Sequence, residues 1–184
     1  MMTSIITATR NHYPTILTLK SQFYSEMAEV VPSIHKAPEG SSGFFTESMF
    51  EGDLLSGTQA YFVALDEQTG AIVGFITIGR RLSPNNPLFT TNSFANIDEI
   101  YVAPEFRKQK IATELVKAAF KWATANGLHT VKTGVYARNS GGYQFWEMIG
   151  FTAYKALVEI DLSNAAANRY EEYTQQDLVK KSDS

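Results

Sequence analysis

The sequence predicts an α/β fold of the α+β kind, with a mixed central sheet and helices on both faces. Apolar residues recur at helical spacing in four stretches, and short β-branched and aromatic runs bounded by turn residues recur in six others. The two kinds follow one another as β-α-α-β-β-β-α-β-α-β. That order is neither strictly alternating βα units nor an all-β pattern, so a sheet covered on both sides accommodates it. At 184 residues, 44% of them hydrophobic, the chain has the length and apolar content of one domain with a short remainder. The domain is expected over residues 1–162, followed by a polar tail over 163–184.

Residues 4–8 (S-I-I-T-A) read as a first strand. Residues 13–30 read as a helix, because Ile16, Leu17, Leu19, Phe23, Tyr24, Met27 and Val30 fall at helical spacing. Pro14 suits its first turn, where a missing N–H costs little. Val31-Pro32 ends it, since the residue before a proline avoids the helical region. Residues 32–43 are rich in Pro, Gly and Ser and form a loop, and residues 44–55 form a second helix closed by Ser56-Gly57. Residues 60–65 and 71–78 make a hairpin about the turn at 66–70. Residues 80–92, with Pro84, Asn85, Asn86 and Pro87, are a long loop, and residues 94–102 are a strand ended by Pro104.

From 108 to 126 the pattern is helical, with Ile111, Leu115, Val116, Ala119, Trp122 and Ala123 on a broad apolar face and Asn126-Gly127 as the stop. Residues 129–136 form a strand. Residues 140–149 form a helix closed by Gly150, with Phe145, Met148 and Ile149 on its core face. Residues 151–162 are a last strand, and the tail carries weak helical potential through Val179.

Composition excludes several function classes. Net charge is −3 and the isoelectric point about 5.6, which lacks the basic face of a nucleic-acid binder. No run of 18 apolar residues predicts a membrane span. The first ten residues lack a basic region followed by an apolar stretch, so a secretory leader is not expected and a cytoplasmic location is. Without cysteine there are no disulfides, thiolate metal sites or cysteine acyl-enzymes. His12, His35 and His129 lack the spacing of paired ligands, so no metal is expected. Gly40-Ser41-Ser42-Gly43 precedes no lysine and follows no apolar strand, and reads as a flexible connection rather than a phosphate loop.

Chemistry concentrates at two strand-to-helix junctions. At the first, Arg107-Lys108-Gln109-Lys110-Ile111-Ala112 leads into the third helix. A helix N-terminus carries unpaired N–H groups and partial positive charge, which suits an anion, and three basic side chains add to it. The second runs from Asn139 to Phe151, N-S-G-G-Y-Q-F-W-E-M-I-G-F.

Together these segments resemble the GNAT superfamily of acyl-CoA-dependent N-acetyltransferases. Ile100-Tyr101-Val102-Ala103-Pro104, followed by Arg107-x-x-Lys110-x-Ala112, is similar to its central motif of a V-x-P strand end and [Q/R]-x-x-G-x-[G/A]. Residues 139–151 are similar to its N-x-x-[A/G]-x-x-F-[Y]-x-x-x-G-F pattern. The resemblance spans about 160 residues and implies a mostly antiparallel sheet.

It also implies acetyl-CoA as co-substrate. Ile100, Tyr101 and Val102 would pair through their main chain with the pantetheine arm. Arg107, Lys108, Gln109, Lys110, Ile111 and Ala112 would hold the pyrophosphate. Asn139 would bond the cofactor arm near the thioester, and Trp146 would lie beside it. The acetyl group would lie where the strand of Ile100 splays from that of Val135. Its carbonyl would meet a backbone N–H near Tyr101 or Val102, where developing negative charge is stabilised. The acceptor would be a primary amine of a small molecule or peptide, and the resemblance allows a homodimer.

An ammonium acceptor, with a pKa near ~10.4 for a lysine-like amine, must lose a proton before it attacks. Asp98 and Glu99 are the candidate acceptors. Side chains alternate along a strand, so one of the two faces the amine; Asp98, sharing a face with Ile100 and Val102, is favoured. Two residues depart from the family pattern. Lys110 stands where glycine is usual, which a position already helical tolerates. Trp146 stands where the usual tyrosine acid would be, and an indole N–H is no useful proton donor. Tyr143, one turn earlier, is the substitute. Glu29, Glu39, Glu47, Glu51 and Asp53 would give the acceptor rim an acidic character suited to a cationic amine such as a polyamine or aminoglycoside. A non-catalytic acyl-CoA-binding or regulatory module, and a nucleotide-phosphate enzyme using the same helix start, are the competing readings.

Overall fold

The computed structural model describes residues 2–31, 45–83 and 93–158. The chain divides into two compact units, residues 1–149 and 150–184. The first contains β1 (Thr3–Thr7), α1 (Tyr13–Val30), α2 (Glu47–Ser56), β2 (Gln59–Asp66), β3 (Ile72–Leu82), β4 (Ser93–Val102), α3 (Ile111–Ala125), β5 (Val131–Thr133) and α4 (Ser140–Ile149). Short 3-10 turns, Arg10–His12 and Pro104–Phe106, lead into α1 and away from β4.

The five strands form one sheet in the order β1-β2-β3-β4-β5, antiparallel except for the parallel β4–β5 pair. Helices cover both faces. A strand covered on one side alternates between buried and exposed, but β3 is buried without a break over residues 73–79. Against one face pack Ile16 and Leu19 of α1 and Phe50 of α2, meeting Tyr61, Val63, Phe75 and Tyr101 of the sheet. Helix α3 buries Ile111, Leu115, Val116, Ala119 and Ala123, the stripe its periodicity predicts.

Several boundaries differ from the sequence reading, each for a local reason. Helix α2 starts at Glu47 because Thr46 Oγ1 accepts the Met49 N–H at 3.2 Å and so fixes the helix start. Strand β3 runs on to Leu82 because residues 79–82 find partners in residues 93–96. Helix α3 starts at Ile111 because Lys108 and Lys110 both have left-handed backbone. Strand β5 is only three residues long, since its pairing with β4 ends at Thr133. In α4 it is Trp146 that is buried, while Met148 is 72% exposed, so the expected Phe145–Met148–Ile149 face is rotated toward Trp146.

In the second unit, residues 151–158 carry no strand, contrary to expectation, and their alternating pattern makes no ladder. The 32–43 connection with its Gly-Ser-Ser-Gly stretch, His35, most of the 80–92 loop, residues 159–162 and the 163–184 tail lie outside the described residues. Among the described residues, no helix is long and apolar enough to cross a membrane, and no group of three His, Asp or Glu is placed to hold a metal ion.

Candidate active site

The site is built where the sheet opens. Strands β4 and β5 pair at Ala95–Val131, Asn96–Lys132 and Ile97–Thr133, and pairing stops there. Thr133 Oγ1 closes the last step by donating to Ile97 O at 3.1 Å. Among the described residues, β4 continues to Val102 without a partner strand on that side.

On its other side β4 is irregular at the same level. Thr77 lies opposite Glu99 and Ile78 opposite Ile97, so Asp98 is the extra residue of a β-bulge. The bulge overturns the alternation argument made from sequence. Asp98 does not oppose Glu99 across the sheet. It accepts hydrogen bonds at 2.7 Å from Arg81 Nη2 and from Asn96 Nδ2. Its charge also acts on Lys20, Tyr24 and Tyr61 of the α1 side, where Glu99 is bound as well. Both carboxylates therefore serve one face.

Their surroundings differ. Glu99 is sealed by α1. Lys20 Nζ is bonded to its Oε2, and Tyr24 donates to its Oε1 at 2.5 Å. The side chains of Lys20 and Glu99 are only 8% and 9% exposed. Lys20 lies 4.4 Å from the centre of the Phe45 ring and 5.5 Å from that of Phe75. Burial pushes the Lys20 ammonium down to about 8, against the opposing pull of Asp98 and Asp53. Burial, then Tyr136 and Asp98, raises Tyr24 and keeps it protonated. The Asp98 side chain is 27% exposed and joined to a chain of polar groups. Arg81 links it to Gln59 Oε1 at 3.4 Å, Gln59 donates to the Tyr61 hydroxyl at 2.9 Å, and Tyr61 donates to Asp53 Oδ2 at 2.5 Å.

The cofactor-side residues follow. Ala103 N–H bonds to Val73 O on the β3 side. By ladder alternation Tyr101 also turns its main chain to β3, while Ile100 and Val102 turn theirs to the gap. Of the three residues expected to pair with a cofactor arm, Ile100 thus turns both main-chain groups to the gap, and Val102 turns its N–H there, its carbonyl accepting from Arg107 Nε. Gly74 permits this close approach, since a Cβ there would sit 2.8 Å from Tyr101 O.

Next comes the turn into α3. Lys108 (φ 62) and Lys110 (φ 65, ψ 6) are left-handed, so Lys110 caps the helix rather than lying in its first turn. That is the conformation a glycine adopts freely, and it explains why glycine is expected there. Among the described residues, the N–H groups of residues 108–112 find no main-chain acceptor.

Arg107 departs from expectation. Its guanidinium bonds both oxygens of Glu26, at 2.8 and 2.7 Å, and its Nε donates to Val102 O at 2.9 Å. The Tyr101 hydroxyl donates to the same Glu26 at 2.7 Å, and burial raises that phenol strongly. The charge left at the helix start is that of Lys108 and Lys110. Gln109 reaches back to Glu105 O at 3.4 Å, Ile111 is buried in the core, and Ala112 is half-buried.

Asn139 is the N-cap of α4. Its Oδ1 accepts the Gly142 N–H at 2.9 Å, and its Nδ2 lies 3.7 Å from Met27 Sδ of α1. A Cβ on Gly142 would meet the Asn139 side chain at 2.7 Å, so Gly142 is what lets the cap close. Trp146 is buried, against Phe145 at 5.1 Å. Tyr143 is 38% exposed, and among the described residues its hydroxyl has no hydrogen-bond partner. On the expected acidic rim, Glu47 and Glu51 are paired with Arg10 and Asp53 with Tyr61, while Glu39 lies outside the described residues.

Lys20 and Tyr24 were missed by sequence reasoning. Their signal was present: Lys20 stands four residues after Ile16 and seven before Met27, inside the apolar stripe of α1, where an unpaired charge is costly.

Known proteins share this architecture. The model of the acetyltransferase (GNAT) family matches residues 23–151. An uncharacterized N-acetyltransferase of Methanocaldococcus jannaschii is 32% identical over 85 residues, which is 46% of this chain and 36% of that protein, so the match spans about a third of the relative. Among solved structures, a mutant of the BH1408 protein from Bacillus halodurans superposes with a TM-score of 0.77 at 19% identity, over 86% of this chain and 99% of that one. A predicted acetyltransferase with acetyl-CoA from Clostridium acetobutylicum has a TM-score of 0.65 at 17% identity, over 88% and 97%. The aminoglycoside N-acetyltransferase AAC(6')-Iy in complex with CoA has 0.66 at 18%, over 87% and 94%. At these identities the structural likeness is one of fold.

Proposed function

The chain belongs to the GNAT acetyltransferase family, and from that premise we propose that it moves an acetyl group from acetyl-CoA to a primary amine of a small molecule or peptide by direct attack in a ternary complex. One observation carries the reading. Among the described residues, the edge of β4 beyond Ile97 has no partner strand, and it leads into a turn whose N–H groups, at residues 108–112, have no main-chain acceptor. The first suits an extended amide-bearing arm and the second a diphosphate.

In this reading Ile100 and Val102 pair with the pantetheine arm. The Val102 N–H faces the thioester oxygen and stabilises the charge that develops on it. The N–H groups of residues 108–112, with the charge of Lys108 and Lys110, hold the pyrophosphate. Asn139 Nδ2 bonds the arm from the α4 side, and Trp146 backs that wall.

Asp98 accepts the amine proton. Both carboxylates have their two oxygens bonded, Asp98 by Arg81 and Asn96 and Glu99 by Lys20 and Tyr24, but the Asp98 side chain is the more exposed of the two. A tyrosine hydroxyl returns a proton to the departing thiolate, and Tyr143 is the donor the sequence suggests. Asp53 and Asp98, joined through Tyr61, Gln59 and Arg81, give the acceptor side a negative character that favours a cationic amine.

The second reading, an acyl-CoA-binding module without turnover, rests on Trp146 replacing the usual acid. Incubation with acetyl-CoA and a panel of polyamines, aminoglycosides and peptide amines, followed by free thiol, separates the two. The enzyme reading expects amine-dependent thiol release, and CoA binding with no release on any amine favours the module.

A further inference from the structure

The sulfur leaving group needs a proton donor, and α1 places one over the gap. Along a single helix, Lys20 and Tyr24 bond Glu99, just past the β4 bulge, and Met27 meets Asn139 at the start of α4. Tyr24 thus lies on α1 between the contact of Lys20 with β4 and that of Met27 with the start of α4, with Tyr136, just beyond β5, within electrostatic reach. Trp146 offers only an indole N–H, and Tyr143 is exposed, its hydroxyl without a hydrogen-bond partner among the described residues. Tyr24, by contrast, is wired to a buried cation through Glu99.

We propose that Tyr24, rather than Tyr143, donates the proton to the coenzyme's sulfur as it leaves, and is recharged from the Lys20 ammonium through Glu99. The inference rests on the acetyl-transfer reading above. The acceptor ammonium first releases one proton to solvent; the neutral amine nitrogen then forms its bond to the thioester carbon while the carbonyl electron pair moves onto oxygen, and the nitrogen gives up a second proton to Asp98. As the tetrahedral intermediate collapses, the carbon–sulfur bond breaks and its electron pair stays on sulfur. The Tyr24 O–H turns from Glu99 Oε1 to that sulfur and gives it the proton; Lys20 passes a proton to Glu99 Oε2, and the Glu99 carboxyl delivers one from Oε1 to the phenolate. Lys20 regains one from solvent, and Asp98 loses one to it. Lys20 and Glu99 are positioning and relay residues, and Tyr24 is the group that touches the reacting atom.

Binding and turnover test this together. Calorimetry with CoA and desulfo-CoA isolates the contact to sulfur. The wild type is expected to bind CoA several-fold more tightly than desulfo-CoA. Tyr24→Phe is expected to bring the ratio to one with desulfo-CoA affinity unchanged. In turnover, Tyr24→Phe is expected to lower kcat by about tenfold to a hundredfold, at the low end for general acid catalysis because a thiolate leaves readily, with KM for acetyl-CoA unchanged.

Should Tyr24→Phe prove poorly folded by thermal melting, 3-fluorotyrosine in place of Tyr24 keeps the shape and moves the alkaline limb of kcat to lower pH. An unchanged CoA to desulfo-CoA ratio in Tyr24→Phe, or an unmoved alkaline limb with fluorotyrosine, overturns the role of Tyr24 and leaves acetyl transfer standing. Absence of CoA binding by the wild type overturns acetyl transfer itself and this proposal with it.

Discussion

Lys20 and Glu99, 79 positions apart in the chain, are bonded to each other inside the core, on the face of the sheet where β4 bulges. The pair ties α1 to β4 beside its bulge. Taking both charges out of water is costly, and their mutual attraction with the Tyr24 hydrogen bond offsets that cost only while both partners remain. Lys20→Ala is therefore expected to destabilise the fold by about 3–5 kcal/mol, because it strands a buried carboxylate. The double variant Lys20→Met/Glu99→Leu is expected to be less destabilised than Lys20→Ala. Chemical denaturation of the three proteins checks the order.

The same pair gives stability a distinctive pH dependence. Lys20 titrates near 8 in the fold and at 10.5 when unfolded, so between those values the unfolded chain binds more protons. Stability from this group accordingly rises as pH increases from about 8 toward 10.5. Tyr24, Tyr61 and Tyr101 act in the opposite sense. Each is raised above 10.0, so its contribution is full below that pH and is lost as pH climbs through the folded value. Denaturation midpoints across this range are expected to rise and then fall. Lys20→Met is expected to remove the rise and keep the fall.

Lys110 occupies a left-handed conformation at φ 65. Lys110→Gly is expected to stabilise the protein by about 1 kcal/mol, since a side chain in that region costs about that much and glycine does not. Lys110→Ala is expected to give no such gain. Thermal melts of the two variants distinguish relief of the backbone from loss of the charge.

Arg107 is shared between two candidate duties, holding Glu26 and holding phosphate. Arg107→Glu is expected to weaken CoA binding by about 1.5–3 kcal/mol, as for a charge-assisted hydrogen bond. The charge swap Glu26→Arg/Arg107→Glu separates the duties. It is expected to recover thermal stability lost in Arg107→Glu while leaving CoA binding weak. Recovery of both, measured by melting and calorimetry, assigns Arg107 to the helix contact alone.

The fold was legible wherever one periodicity ran unbroken. Helices α1 and α4 have the bounds their apolar spacing gives, and the β2–β3 hairpin follows its turn residues. The misreadings share a cause, in that a local count was applied across a local irregularity. Alternation placed Asp98 opposite Glu99, but a bulge is a register event set by the neighbouring strand, and nothing in N-I-D-E-I announces it. Lys110 was read as helical because its neighbours are, whereas its backbone turns to start the helix. The short β5 and the absent strand over 151–158 reflect pairing, which depends on a partner strand rather than on the segment's own alternation.

The candidate site was half legible. The basic turn and the Asn139 junction are contiguous in sequence and carry their own signals. The contributions of α1, Lys20, Tyr24 and Glu26, come from far along the chain, and only folding brings them to β4 and the turn. Asn139 shows the limit of a motif. Its Oδ1 is committed to capping α4, which leaves only Nδ2 toward the opening.

Hydrogen–deuterium exchange of the backbone amides, with and without CoA, tests the central claim most directly. CoA is expected to slow exchange at residues 108–112 and at Val102, the amides that among the described residues lack a main-chain acceptor at the start of α3 and on the edge of β4 beyond its pairing with β5. Protection that instead falls on the groove between β1, β2 and α3 near Ile5, Phe62 and Trp122, or no change at residues 108–112 while CoA is bound, contradicts it.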